Sequence, residues 1–455
     1  VTSPRTVADV TLLLRDPRLV GISRVVLVVV EELLAAADPD VAFSRFDPVY
    51  ARFERVDPDT LRDVSDVMHR AGAEVTPTPS AAPRSSRGRA TVDHFLERRP
   101  ATRQTTDRLG YYARHAITET AKIPGAILSD RHRRADPCFS LEWDHSTVYC
   151  TLAFDHLDGS FEHLARQRSV RGFSTVLTVH DLTPIITPQY HGGHGAAETP
   201  ESFRSAYLHL LRSSDRLLSI SESTRHDLMA FAAAEDLPIP PISLLPLGAA
   251  LPVEPPLRPA ALPAAATGEG AGFALTVGTV EIRKNHDLLL DVWEMMLRDR
   301  PRETVPHLVV VGRPGWLAHE TLDRMTRTPA FAGVVHHLPG LSDPELAWCY
   351  QHAAFTLYPS LYEGWGLPIR ESLATGTPCL TSDTSSLPEV GQGLIDLLDP
   401  YDRVAWRDRI LELWTRPDLR AERCDRIARE FHNPTRRDTR DAALAAIEAA
   451  RSATG

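Results

Sequence analysis

Two periods alternate along the chain. Short continuous apolar runs, read as buried strands, are followed by stretches in which apolar residues recur every three or four positions, read as helices. Val7 to Leu14 predicts a strand, and Gly21-Ile22-Ser23-Arg24 opens a helix carrying Val25, Val26, Val29 and Leu33. Further strands are predicted over 146–151, 175–179 and 216–220, with helices over 200–212 and 221–232, the second capped by Ser221 or Ser223. A second series has strands over 273–277, 307–311, 334–338, 355–358 and 378–382, helices over 285–298, 317–326, 343–353 and 368–375, and a helical tail from about residue 402. Strand, turn and helix in regular succession predict an α/β chain with two open, doubly wound parallel sheets.

Two segments break the alternation. Residues 238–267 hold nine prolines, which excludes a central strand or a long helix and predicts the linker between domains. The domains expected are therefore 1–250, a Pro/Ala-rich linker at 251–268, and 269–455 with its helical tail. Residues 76–136 turn to Pro, Ser, Thr and Arg, and between 84 and 134 twelve Lys or Arg stand against five acids. That basic insertion reads either as a solvated excursion from the first sheet or as a surface attracting an anionic acceptor or lipid headgroups.

Composition narrows the function. The 455 residues are 43% hydrophobic and 24% charged, a globular balance. Sixty acids against fifty bases give a net charge of -10, which argues against a dedicated nucleic-acid binder. The longest apolar runs, such as Val25 to Val30, fall far short of the ~18 residues that span a bilayer, and no signal-peptide core stands near residue 1. The sequence thus predicts a soluble cytoplasmic protein, which on the second reading of the basic insertion would also touch an inner membrane face through that segment. Cys138, Cys150, Cys349, Cys379 and Cys424 lack metal-ligand spacing and read as reduced thiols.

The chemistry concentrates in residues 361–378. Leu361-Tyr362-Glu363-Gly364-Trp365-Gly366-Leu367-Pro368 follows a predicted strand, with glycines in the turn and Pro368 in the first turn of a helix. Amides exposed at such a turn, with a helix N-terminus behind them, suit a diphosphate. Glu363 lies in the loop and Glu371 one turn into the helix, so the two carboxylates can reach different parts of one ligand.

This glutamate pair, within EGWGLPIRESLATGTPCLTSDTSSLPEV, resembles the donor-binding signature of the retaining glycosyltransferases of family 4, which have the GT-B fold. The runs 277–286 (VGTVEIRKNH), 309–316 (VVVGRPGW), 179–184 (VHDLTP) and 219–228 (SISESTRHDL) agree in order, and the mannosyltransferase-like subgroup is the one most resembled. The resemblance implies that Glu371 accepts hydrogen bonds from ribose hydroxyls. It implies that Glu363 lies against the donor sugar, beside Gly364, Trp365, Gly366 and Leu367. Lys284 would meet the diphosphate and offset the charge of the leaving group. Relatives often carry an Arg where this chain has Thr279, with Arg283 as a substitute whose direction the sequence leaves open. His180 would approach the reactive carbon of the sugar, its alternative being a buried histidine satisfied by Asp181 or backbone. Gly21 is either a plain turn glycine or a point of close approach to phosphate or acceptor.

The reaction implied is transfer of a hexose, mannose or a related deoxyhexose, from a nucleotide-diphosphate sugar to a saccharide, glycolipid or natural-product acceptor. An epimerase or hydrolase on the same fold, and a degenerate nucleotide-sugar-binding scaffold, are the alternatives. Double displacement and front-face attack both remain open as routes to retention. No Asp-x-Asp stands at a strand end, so the expectation is a metal-independent enzyme without a cofactor, in which Lys284 and a helix dipole do a metal's work.

Overall fold

A computed structural model describes residues 5–15, 21–47, 52–71, 143–152, 160–190, 199–249, 255–267, 272–315 and 317–453. The basic insertion, including Arg87, Arg89, Arg98 and Arg99, lies outside the described residues.

The first sheet holds β1 (Thr6–Asp9), β2 (Val41–Asp47), β3 (Arg52–Val56), β4 (Val148–Thr151), β5 (Ser174–Val179), β6 (Arg216–Ser219) and β7 (Ile242–Leu244), in the order β3-β2-β1-β4-β5-β6-β7. The second holds β8 (Phe273–Val277), β9 (His307–Val311), β10 (Val335–Leu338), β11 (Phe355–Tyr358), β12 (Cys379–Ser382) and β13 (Asp396–Leu398), in the order β10-β9-β8-β11-β12-β13. In each sheet the strand order reverses beside the first strand, and the crevice above that reversal is where such sheets bind ligands. The central strands are buried on both faces, as all of β1, β4, β5, β11 and β12 are, which is why they read as continuous apolar runs rather than as alternation.

Several expectations need correction. The strand expected over 7–14 stops at Asp9, because the Asp9 carboxylate turns back to accept the amide of Thr11 at 2.9 Å and a short helix, Thr11–Arg15, follows. The first sheet is not wholly parallel: β3 runs antiparallel to β2 at the edge, where Glu54 bridges Arg45 and Arg52. Within the proline-rich stretch, β7 pairs with β6 as an edge strand, a position prolines tolerate. The tail does not stay with the C-terminal domain. Its last helix, Arg436–Ser452, returns to the first domain, where Ala443, Ala446, Ile447 and Ala450 join the core formed by β1, β4 and the helix Gly21–Ala36. Small side chains allow that close helix contact, and Arg436–Glu31 and Arg440–Glu32 pairs flank it at 2.7 and 3.1 Å.

Candidate active site

Two loops of the second domain converge at the carboxyl ends of β8 and β11. After β8 the backbone passes through Gly278, whose φ of 153° suits glycine alone, and Lys284 packs over the space where a Cβ would stand, its Cε 3.6 Å away. A 3-10 turn, Ile282–Lys284, follows, and Asn285 (φ 56°) leads into the helix His286–Asp299. The Asn285 amide donates to the carbonyls of Pro359 and Pro400 at 3.1 and 2.9 Å, binding this turn to the loop after β11.

That second loop carries Glu363. Its amide donates to Ser385 Oγ at 2.8 Å, and Ser386 Oγ donates to the carbonyls of Glu363 and Trp365 at 2.9 and 2.8 Å. The loop is thus fixed before the helix Leu367–Ala374 begins, with Pro368 in its first turn. Glu363 is 7% exposed, and its two oxygens are divided between two cations. Lys284 Nζ lies 2.6 Å from Oε1 and Arg283 Nη1 2.7 Å from Oε2. Lys284 also donates to Tyr358 Oη at 2.7 Å, and Arg283 pairs with Glu281 at 2.6 Å.

The electrostatics follow from that sharing. Burial pushes the Glu363 carboxyl up, but Arg283 and Lys284 together outweigh it and hold the carboxyl at about 2. Burial lowers Arg283, and Glu363 and Glu281 more than restore it. For Lys284 burial prevails, and with Arg283 beside it the ammonium is pushed below its ordinary range despite Glu363. Arg283 is therefore the fixed charge of the cluster and Lys284 the one whose charge depends on its partners.

His180, at the end of β5, is 6% exposed, and its Nε2 lies 2.8 Å from the Leu152 carbonyl. A carbonyl only accepts, so Nε2 carries the proton; burial drives the imidazole neutral, and Nδ1 is left as its acceptor. Its backbone meets the second domain: a Cβ on Gly364 would stand 2.1 Å from the His180 carbonyl oxygen. Only glycine fits there, so Glu363 and His180 are brought together through one tight contact.

The remaining expected residues, apart from Gly21, fall on one loop and helix. Trp365 packs against the cores of both domains, Gly366 precedes the helix and Leu367 begins it. Glu371 is 5% exposed and accepts a hydrogen bond from Tyr350 Oη at 2.7 Å. Gly21 is the first residue of the helix Gly21–Ala36; residues 16–20 before it lie outside the described residues.

Sequence reasoning missed the residues that join the domains. Tyr362 Oη donates to Asp227. The Glu389 carboxylate accepts the amides of Glu222 and Ser223, at 3.0 and 3.4 Å, at the start of the helix Glu222–Ala234. It also missed Tyr358 and Glu281, although both lie within predicted motifs. Among the described residues no group of three or more His, Cys, Asp or Glu is placed to hold a metal ion, and no helix is long and apolar enough to cross a membrane.

Residues 262–431 match the family model described as glycosyl transferases group 1. They hold the glutamate pair, both cations and the whole second sheet. The second domain of the chain thus matches that family. It is 30% identical over 244 residues to the O-antigen chain mannosyltransferase B of Escherichia coli, a match covering 52% of this chain and 60% of that one. Over 57 residues it is 49% identical to the MMP alpha-(1->4)-mannosyltransferase of Mycolicibacterium hassiacum, covering 12% of this chain and 14% of that one. The match to the Escherichia coli relative therefore spans about 60% of that relative's length. Among solved structures, an alpha,alpha-trehalose-phosphate synthase (UDP-forming) from Burkholderia vietnamiensis superposes with a TM-score of 0.50 at 14% identity, over 75% of this chain and 76% of that one. The group 1 domain and its partner sheet have the GT-B arrangement of two facing α/β domains.

Proposed function

We propose that this chain moves a hexose, mannose or a related deoxyhexose, from a nucleotide-diphosphate sugar to a saccharide, glycolipid or natural-product acceptor, with retention of configuration. The observation that carries this reading is the buried Arg283–Glu363–Lys284 cluster in front of the helix Leu367–Ala374. Two cations beside a helix N-terminus meet a diphosphate and stabilise it as it leaves. The names of the mannosyltransferase relatives support the choice of sugar.

In this reading the incoming diphosphate takes over Lys284, whose charge its new partner sustains. Glu363, partly released, turns one oxygen to the hydroxyls of the donor sugar, and Arg283 keeps it ionised. Glu371, aligned by Tyr350, accepts from the ribose hydroxyls. His180, neutral with Nδ1 as acceptor, takes a hydrogen bond from a sugar hydroxyl near the reactive carbon. With no carboxylate assigned to the far face of the sugar, the front-face route fits best: the leaving phosphate oxygen receives the acceptor proton. Lysine and helix dipole supply the electrostatic stabilisation without a metal.

The test is a panel of nucleoside diphosphates and their sugars against the purified protein. A bound donor at 100 times its dissociation constant raises stability by about 2.7 kcal/mol, and release of nucleotide should require a saccharide acceptor. Acceptor-independent release would replace transfer by hydrolysis, and no stabilisation by any nucleotide would overturn the reading.

A further inference from the structure

Among the described residues the chain passes between its domains twice, and the two passages meet at residues 248–249 and 433–434. One leaves the first core after Leu247 and reaches the second at Leu262; the other leaves the second domain at Phe431 and rejoins the first core at Ala443. Asn433 ties them together, its Oδ1 accepting the Ala249 amide at 2.7 Å and its Nδ2 donating to the Ala249 carbonyl at 3.2 Å. Gly248 makes room for this pairing, since a Cβ there would stand 1.9 Å from the Pro434 carbonyl oxygen. A change in the angle between the domains would bear on this contact between the two passages.

One side chain of the site helix reaches them. Arg370, the neighbour of Glu371, donates through Nη2 to the His432 carbonyl at 2.5 Å and to Asn433 Oδ1 at 3.3 Å, and through Nη1 to the Val390 carbonyl at 3.5 Å. Its guanidinium lies 4.5 Å from the centre of the Phe431 ring. Arg370 is 1% exposed, its Nε has no acceptor, and among the described residues no carboxylate pairs with it. A buried charge with only neutral acceptors is unfavourable, and an apolar side chain of similar volume would avoid that cost. What the planar fork alone supplies is a stiff connection from the helix to several points of the returning passage. Gln392 grips the same place from another loop, exchanging two hydrogen bonds with the His432 backbone at 3.0 and 3.1 Å.

We infer that Arg370 and Asn433 couple the helix Leu367–Ala374 to both interdomain passages, so that a nucleotide diphosphate seated at that helix sets the angle between the domains. Arg370 holds residues 432 and 433, and Asn433 holds residue 249. A shift of the helix on ligand binding is therefore carried to both passages at once. Neither residue touches substrate; both are positioning residues. The inference rests on the proposed function for the identity of the ligand, but the linkage itself is also readable in the free protein.

The test uses the full chain as wild type, Asn433→Ala, Arg370→Lys and Arg370→Met. Hydrogen exchange on the free protein should show the Ala249 amide of Asn433→Ala exchanging at least about tenfold faster, with faster exchange also in 367–374, where Asn433 makes no direct backbone contact. With GDP and UDP as probes, X-ray scattering should show ligand-induced compaction in the wild type that falls by about half or more in Asn433→Ala and Arg370→Met. Nucleotide affinity by calorimetry should stay within about threefold, while kcat falls about tenfold, and Arg370→Lys should recover part of the loss. Asn433 is exposed, so its variant carries the test if the Arg370 variants do not fold. Wild-type exchange in 367–374 together with wild-type compaction in Asn433→Ala would overturn the coupling. Failure of the wild type to bind either nucleotide counts against the proposed function, and exchange in 367–374 then decides the coupling alone.

Discussion

Replacing Glu363 by Gln keeps the shape of the buried cluster and removes its central charge, which makes the cost calculable. The carboxyl is held at about 2 against an ordinary value of 4.5, and Glu363 is only 7% exposed, so solvent screens the effect little. At 1.36 kcal/mol per pKa unit, this is about 3 kcal/mol of stability at neutral pH. The sign is that of a depressed carboxylate: the contribution is complete above about 4.5, the unfolded value, and is lost as pH falls through the folded value near 2. Removing one partner of a buried pair costs a comparable ~3 kcal/mol or more, because the other charge stays buried. Here Lys284 is the group left behind, since Arg283 retains Glu281 at 2.6 Å.

Urea unfolding of wild type and Glu363→Gln, followed by tryptophan fluorescence at pH 7, 5 and 3.5, should therefore show a gap of about 3 kcal/mol at pH 7 that narrows by about 1 kcal/mol or more at pH 3.5. Every other acid titrates in both proteins and cancels in the difference. A cycle with Lys284→Met should give a coupling of at least about 1 kcal/mol. A gap that is the same at pH 7 and pH 3.5 would refute the reasoning, because it would mean that Glu363 stabilises by shape rather than by charge.

The same variant should bind a free nucleoside diphosphate no more weakly than the wild type while losing turnover, since the carboxylate and the diphosphate compete for Lys284; calorimetry beside a transfer assay checks both. Glu371→Ala should weaken nucleotide binding by about 1 to 3 kcal/mol, and Tyr350→Phe by about 1 kcal/mol through the lost 2.7 Å bond, with unchanged affinities in calorimetry refuting the ribose assignment. Turnover should survive EDTA, and restoration of a lost activity by magnesium or manganese would show that a metal is required. Neutralising Arg87, Arg89, Arg98 and Arg99 should lower acceptor affinity at low salt and leave nucleotide affinity unchanged, with salt-dependent kinetics as the measurement.

What could be read from the sequence, and what could not, divides along one physical line. The buried strands β8, β9 and β11 span the residues predicted for them, because a strand covered on both faces leaves its own mark in sequence. The cluster residues Arg283, Lys284 and Glu363 were all legible as residue types in loops after strands. Their mutual arrangement was not. That Arg283 turns toward Glu363 depends on the left-handed Asn285 and its bonds to Pro359 and Pro400, contacts between positions 74 and 115 residues apart. The return of the last helix to the first domain is hidden for the same reason: Ala443, Ala446 and Ala450 are a weak apolar face until the helix Gly21–Ala36 is brought against them. Arg370 is the clearest case. In the sequence it is one more arginine on a short helix, and only the packed domain shows it buried, with no carboxylate partner among the described residues, against the passage by which the chain returns to its first domain. Local pattern thus specifies the elements and the kinds of side chain at their ends, whereas pairings across the domain boundary, on which the geometry of Glu363 and His180 depends, are settled by the fold as a whole.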